Sequence, residues 1–140
     1  MKIISNSVKD TLKFGSKIAK NLKKGDIICL LGELGSGKTV LAKGIIEALG
    51  VKRDKIISPT FCLIRQYHQA KFPVYHFDLY RLRRPHDILD LGYEEYLYGS
   101  GITIIEWADR LKILLPGRYL KITLSVRGEN KRSISFSAIK

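Results

Sequence analysis

The stretch Gly32-Glu33-Leu34-Gly35-Ser36-Gly37-Lys38-Thr39 has the spacing G-x-x-x-x-G-K-[ST], and each residue type in it has a use in holding phosphate. Glycines let the backbone turn sharply and bring amide N–H groups close to β- and γ-phosphate oxygens with no Cβ in the way. A helix starting at the end of the loop adds the positive potential of its first turn. Lys38 supplies a mobile point charge, and the Thr39 hydroxyl stands where a Mg²⁺ ligand is needed. The expected cradle is the backbone of Glu33, Leu34, Gly35, Ser36, Gly37, Lys38, Thr39 and Val40.

The elements that must position this loop flank it directly. Ile27-Ile28-Cys29-Leu30-Leu31 reads as a buried strand, and Leu41, Ala42, Ile45, Ile46 and Leu49 fall on one face of a helix that Gly50 stops. Strand, glycine loop and helix together turn a short pattern into a nucleoside triphosphate site. No N/T-K-x-D guanine signature occurs, which favours ATP over GTP.

Two further apolar runs, Val74-Tyr75-His76-Phe77-Asp78 and Ile102-Thr103-Ile104-Ile105-Glu106, each end in a carboxylate. Such a strand end resembles a Walker B element, which holds Mg²⁺ directly or through water. By pattern alone Asp78 and Glu106 are equal candidates. His76 shares Asp78's face by period-two alternation and reads as a core residue. Trp107 reads either as core packing or as an aromatic beside the nucleotide. Pro59 forces extended backbone in Ser58-Pro59-Thr60-Phe61, and Thr60 heads a strand-like run to Tyr67. A threonine in that place is a turn residue or a sensor that orders around γ-phosphate and Mg²⁺. Arg81, Arg83 and Arg84 are partners for acids, a docking surface or a catalytic charge.

The rest of the chain supplies scaffolding. Ser5-Asn6-Ser7 caps a helix with Val8, Leu12, Ile18, Ala19 and Leu22 as its apolar positions; residues 85–98 read as short helices broken at Gly92. Leu120, Ile122, Leu124 and Val126, then Ile134, Phe136 and Ala138, alternate on either side of Gly128-Glu129-Asn130, which predicts a hairpin closing the sheet edge. The fold class expected is α/β, a P-loop NTPase three-layer α/β/α arrangement with a mostly parallel central sheet and antiparallel edge strands. Residues 1–140 form one domain.

Composition bounds the setting. No apolar run reaches 18 residues, no signal-peptide core stands at the N-terminus, and Cys29 and Cys62 form no C-x-x-C pair. A cytoplasmic protein without a membrane span is expected. The net charge is +12, with seven lysines in residues 1–26 and eight Lys or Arg in residues 110–140. That balance suits RNA, an acidic partner or anionic lipid, and equally a solvated Lys-rich surface.

With Gly32–Thr39, Ser58-Pro59-Thr60-Phe61, His76-Phe77-Asp78-Leu79-Tyr80-Arg81-Leu82, Leu91-Gly92-Tyr93 and Ile105-Glu106-Trp107 in this order, the chain resembles the bacterial TsaE (YjeE) family over nearly its whole length. That family is the small ATPase of tRNA threonylcarbamoyladenosine biosynthesis. The resemblance implies ATP with Mg²⁺ and docking onto TsaD–TsaB-type partners, through which tRNA is met indirectly; DNA has no part. It matches Lys38 to the phosphate-binding lysine, Thr39 to the Mg²⁺ ligand and Thr60 to the switch-like threonine. Asp78 matches the acid of the D-L-Y-R block, Glu106 the second acid implicated in Mg²⁺ coordination, and Trp107 the tryptophan beside the nucleotide. It departs at Arg83-Arg84-Pro85-His86, where relatives tend to be acidic.

The activity expected is hydrolysis of ATP to ADP and phosphate, with Asp78 orienting or deprotonating the attacking water. No arginine finger can be placed in cis, so turnover should be weak alone and partner-dependent. Two other readings compete. A small nucleotide or metabolite kinase would need an acceptor site and lid within residues 81–99, and a nucleotide-gated binding module would not need hydrolysis.

Overall fold

The computed structural model describes residues 1–59 and 62–140. Among these residues one seven-stranded sheet runs through the molecule. Its strands are β1 (Lys2–Ser5), β2 (Ile27–Leu31), β3 (Ile64–Tyr67), β4 (Val74–Asp78), β5 (Ile102–Glu106), β6 (Tyr119–Val126) and β7 (Arg132–Ile139). They lie in the order β1-β7-β6-β2-β5-β4-β3. The central strands β6, β2, β5 and β4 pair in parallel. The outer pairings β1–β7, β7–β6 and β3–β4 are antiparallel. This is the α/β arrangement expected from sequence.

Helices α1 (Val8–Ala19) and α2 (Lys38–Ala48) pack on each other and on one face of the sheet. The other face is covered by 3₁₀ turns over Pro85–Leu91 and Ala108–Leu114 and by the short α3 (Tyr93–Leu97). Strand alternation divides the apolar residues between two cores. Ile28, Leu30, Val74, Ile102 and Ile104 face α1 and α2, while Cys29, Phe77 and Ile105 face the turns and α3. The near-continuous apolar runs of β2 and β5 follow from burial on both faces.

The local signals explain most boundaries. Ser7 caps α1 by accepting from Asp10 N at 3.0 Å, and Asp10 Oδ2 accepts from Asn6 N at 3.0 Å. Gly50 (φ 117°) ends α2 in a backbone region that suits glycine. Helices α1 and α2 cross where two glycines meet. A Cβ on Gly15 would stand 2.7 Å from Ile45 N, and one on Gly44 would stand 2.6 Å from Leu12 O. Three expectations need correction. Lys2–Ser5 forms a strand on the outside of β7, so the β6–β7 hairpin does not close the sheet edge; β1 does. The strand expected from Thr60 begins at Ile64, after a turn at residues 62–63 in which Leu63 has φ 67°. Val8, assigned to the apolar face of α1, is 64% exposed at the mouth of a cleft. Among the described residues no helix is long and apolar enough to cross a membrane.

Candidate functional site

The loop between β2 and α2 leaves the sheet at the carboxyl ends of the parallel strands, where open α/β sheets place their ligands. Its shape depends on glycine at Gly32. A Cβ there would meet Leu124 O at 2.5 Å and Ser36 Oγ at 2.6 Å, at φ 150°. Gly37 (φ 101°) is the residue that enters α2. Around the loop lies a cleft of about 440 Å³ lined by residues 34–40, by Asp78, Tyr80, Glu106 and Trp107, by Val8 and Thr11 of α1 and its cap Ser7, and by Glu129, Asn130 and Arg132 of the hairpin.

Register brings the strand-end acids to this loop. Leu30 of β2 pairs with Glu106 of β5, which pairs in turn with Asp78 of β4. Glu106 follows Ile104 by two and Asp78 follows Val74 by four, so both project to the side from which α2 starts. Glu106 is buried, and its Oε1 accepts the Thr39 hydroxyl at 2.7 Å. Its Oε2 lies 2.5 Å from His76 Nε2, in an imidazole that is fully buried. Asp78 is buried as well, and its Oδ1 accepts from Tyr80 N at 3.0 Å.

Lys38 is turned back on the loop that carries it. Its ammonium donates to Gly32 O at 2.6 Å, Glu33 O at 2.8 Å and Ser36 Oγ at 3.4 Å. It also stands 4.0 Å above the Trp107 ring, which packs against Tyr80 at 5.1 Å on the ring centroids. Burial holds this ammonium below the ordinary lysine value, while Glu106, Asp78, Asp109 and Glu33 act in the opposite sense. Trp107 itself adopts a left-handed backbone (φ 59°, ψ 41°), a strained state for a bulky residue, which aims the indole over the loop as the chain leaves β5. The hairpin reaches the same loop, since Arg132 donates to Gly35 O at 3.2 Å and Val126 N to Glu33 Oε1 at 3.3 Å.

The fit of a divalent cation rests on Thr39 and Glu106. Their oxygens are 2.7 Å apart, close to the roughly 2.9 Å between adjacent vertices of an octahedron with Mg–O distances of about 2.05 Å. Among the described residues no cluster of three or more His, Cys, Asp or Glu could hold a metal. Two protein oxygens, with phosphate and water completing the shell, suit Mg²⁺ bound together with a nucleotide.

The structure thus gathers Glu33, Leu34, Gly35, Ser36, Gly37, Lys38, Thr39, Val40, Asp78, Glu106 and Trp107 into one region. Thr60 lies outside the described residues. Sequence reasoning passed over His76 as core, and it passed over the hairpin tip and the first turn of α1 as walls of the cleft. His76 carried a usable signal, standing two residues before Asp78 on the same strand face; the hairpin tip carried none.

Comparisons with known proteins agree over most of the chain. The family model described as "Threonylcarbamoyl adenosine biosynthesis protein TsaE" matches residues 5–134. A Rickettsia prowazekii protein named tRNA threonylcarbamoyladenosine biosynthesis protein TsaE is 43% identical over 130 residues, 93% of this chain and 90% of that protein. The Treponema pallidum protein of the same name is 37% identical over 135 residues, 96% of this chain and 98% of that one. A crystal structure of Bacillus subtilis YdiB superposes with a TM-score of 0.86 at 33% identity, covering 100% of this chain and 86% of that one.

Proposed function

The chain belongs to the TsaE family, and on that premise we propose that it is the ATP-binding, slowly ATP-hydrolysing component of tRNA N6-threonylcarbamoyladenosine biosynthesis. The observation that carries the reading is the meeting, in one cleft, of a glycine loop, its lysine and a strand-end carboxylate bonded to the loop threonine.

The loop amides and the start of α2 grip the β- and γ-phosphates. Lys38 exchanges the carbonyls of Gly32 and Glu33 for phosphate oxygens, a short swing because those carbonyls belong to the cradle itself. Thr39 and Glu106 hold Mg²⁺, which when bound neutralises charge developing on the phosphate oxygens. Asp78, opposite Glu106 on the next strand, orients the attacking water or takes its proton. Thr60 is assigned the sensing of the γ-phosphate. Trp107 stands over the phosphate-binding lysine and beside the bound nucleotide.

Slow turnover in isolation follows from the arginines. Among the described residues Arg132 is the arginine lining the cleft, and its guanidinium is committed to the carbonyls of Gly128, Glu129, Lys131 and Gly35. A transition-state arginine contributes roughly 10³–10⁵ in rate. TsaD–TsaB-type partners in the cytoplasm would supply or organise that charge and bring the tRNA. The test is reconstitution with those partners, following ATP turnover and modified adenosine together. Wild type should support both and Lys38→Ala neither. Fast hydrolysis by the chain alone, unchanged on adding partners, would contradict the reading. So would phosphate transfer to an added acceptor in preference to water.

A further inference from the structure

His76 has no part in the steps above, yet its imidazole is fully buried beside them. In the β4–β5 register His76 pairs with Ile104 and Asp78 with Glu106, so His76 lies one diagonal step from Glu106 on the shared face. A carboxylate that holds a cation is ionised and only accepts, so Nε2 carries the proton and donates to Oε2 at 2.5 Å. The other ring nitrogen, Nδ1, is buried without a hydrogen-bond partner among the described residues. A core position filled for packing alone would be served better by an apolar ring, because an unpartnered buried nitrogen is a cost.

We propose that His76 is a positioning residue for Glu106, holding Oε2 so that Oε1 stays turned toward Thr39 and the magnesium of the nucleotide. The proposal rests on the Mg·ATP reading above and adds a residue to it. A free glutamate carboxyl rotates broadly about its last torsion. Here one oxygen is tied to Thr39 and the other to His76. A cation held by Thr39 and Glu106 would take the place of the hydrogen bond between them. The bond from His76, on the opposite oxygen, is untouched by that replacement and keeps the carboxylate aimed.

The test compares His76→Gln with His76→Asn in the full chain. The glutamine amide can reach Glu106 from the place of Nε2; the asparagine amide, one methylene shorter, cannot. ATP affinity is measured by calorimetry in Mg²⁺ and in EDTA, with thermal midpoints recorded alongside. The ratio of the two affinities is the magnesium gain. Asparagine should cut that gain roughly 10- to 100-fold, the usual effect of losing an outer-shell partner, with EDTA affinity within about twofold of wild type. Glutamine should keep most of it. A wild-type gain in the asparagine protein, or equal loss in both variants, overturns the positioning role while leaving ATP binding standing. If His76→Asn does not fold, His76→Gln decides, because loss of the gain in a folded glutamine protein refutes the proposal and retention supports it. A wild-type protein that binds ATP equally with and without Mg²⁺ removes the metal assignment and the proposal together. One that binds no ATP removes the function as well.

Discussion

Glu106→Gln and Glu106→Ala should separate charge from hydrogen bonding at the heart of the cleft. Glutamine nearly preserves the shape of Glu106, and its neighbours can adapt. The Thr39 hydroxyl is able to accept as well as donate, and the unpartnered Nδ1 of His76 lets the ring take its proton there and offer Nε2 as an acceptor. Every bond can therefore be remade, and the glutamate charge opposite Asp78 is gone. The expected loss of stability is under about 1 kcal/mol. Alanine leaves the buried imidazole with no partner, while Thr39, half-buried at the cleft, can turn to water. That costs about 1–3 kcal/mol. For 140 residues the unfolding entropy implies about 3–4 °C per kcal/mol, so alanine should lower the melting midpoint by roughly 3–10 °C and glutamine by less than about 4 °C. Calorimetric scans without nucleotide measure this. ATP titrations with and without Mg²⁺, read from Trp107, the sole tryptophan, should show the magnesium gain lost in both. A glutamine variant as unstable as alanine would refute the hydrogen-bond account, and one that keeps the full magnesium gain would refute the role of the charge.

Lys38→Met should abolish ATP binding measured by calorimetry. Burial lowers the Lys38 proton affinity in the folded chain, so the unfolded state holds more protons and stability rises with pH in the window just below the ordinary lysine value; the methionine variant should lose that rise in urea titrations. Gly44→Ala forces a Cβ against Leu12 O in the α1–α2 crossing. Overpacking of about 1–3 kcal/mol outweighs a helix-propensity gain of about 1 kcal/mol, so the melting midpoint should fall, and a rise would show that the helices part freely. Ellman's reagent should titrate Cys62, which is exposed, in the native protein, and Cys29, buried with its thiol pushed up to about 12, only after unfolding. Arg132→Ala unties the hairpin from Gly35 O and should weaken ATP binding a few-fold in the same calorimetric titration, with little change in melting midpoint.

Much of this protein was legible locally. The glycine loop is contiguous: Gly32 to Thr39 turn and start a helix within eight residues, and the physics of each step lies in its own neighbours. Strands β2, β4 and β5 and the β6–β7 hairpin were readable because burial on one or both faces imposes a short-range period. The edge strand β1 was not, since four residues hold a strand conformation here only because β7 offers its open side.

The order of residues was enough to place a glycine loop of phosphate-binding spacing between a strand and a helix, and to end two further strands in acids. Pattern alone left Asp78 and Glu106 equivalent, and only the family resemblance ranked them, because a period of two assigns a side chain to a face and never to a neighbour. Tertiary structure decided between their surroundings: β5 lies directly beside β2, and that order alone carries Glu106 to Thr39, 67 residues away in the chain. The same order set His76 behind Glu106 and the hairpin tip over the loop. Strand neighbours are chosen by the joint packing of every layer, so no local stretch of residues contains that choice.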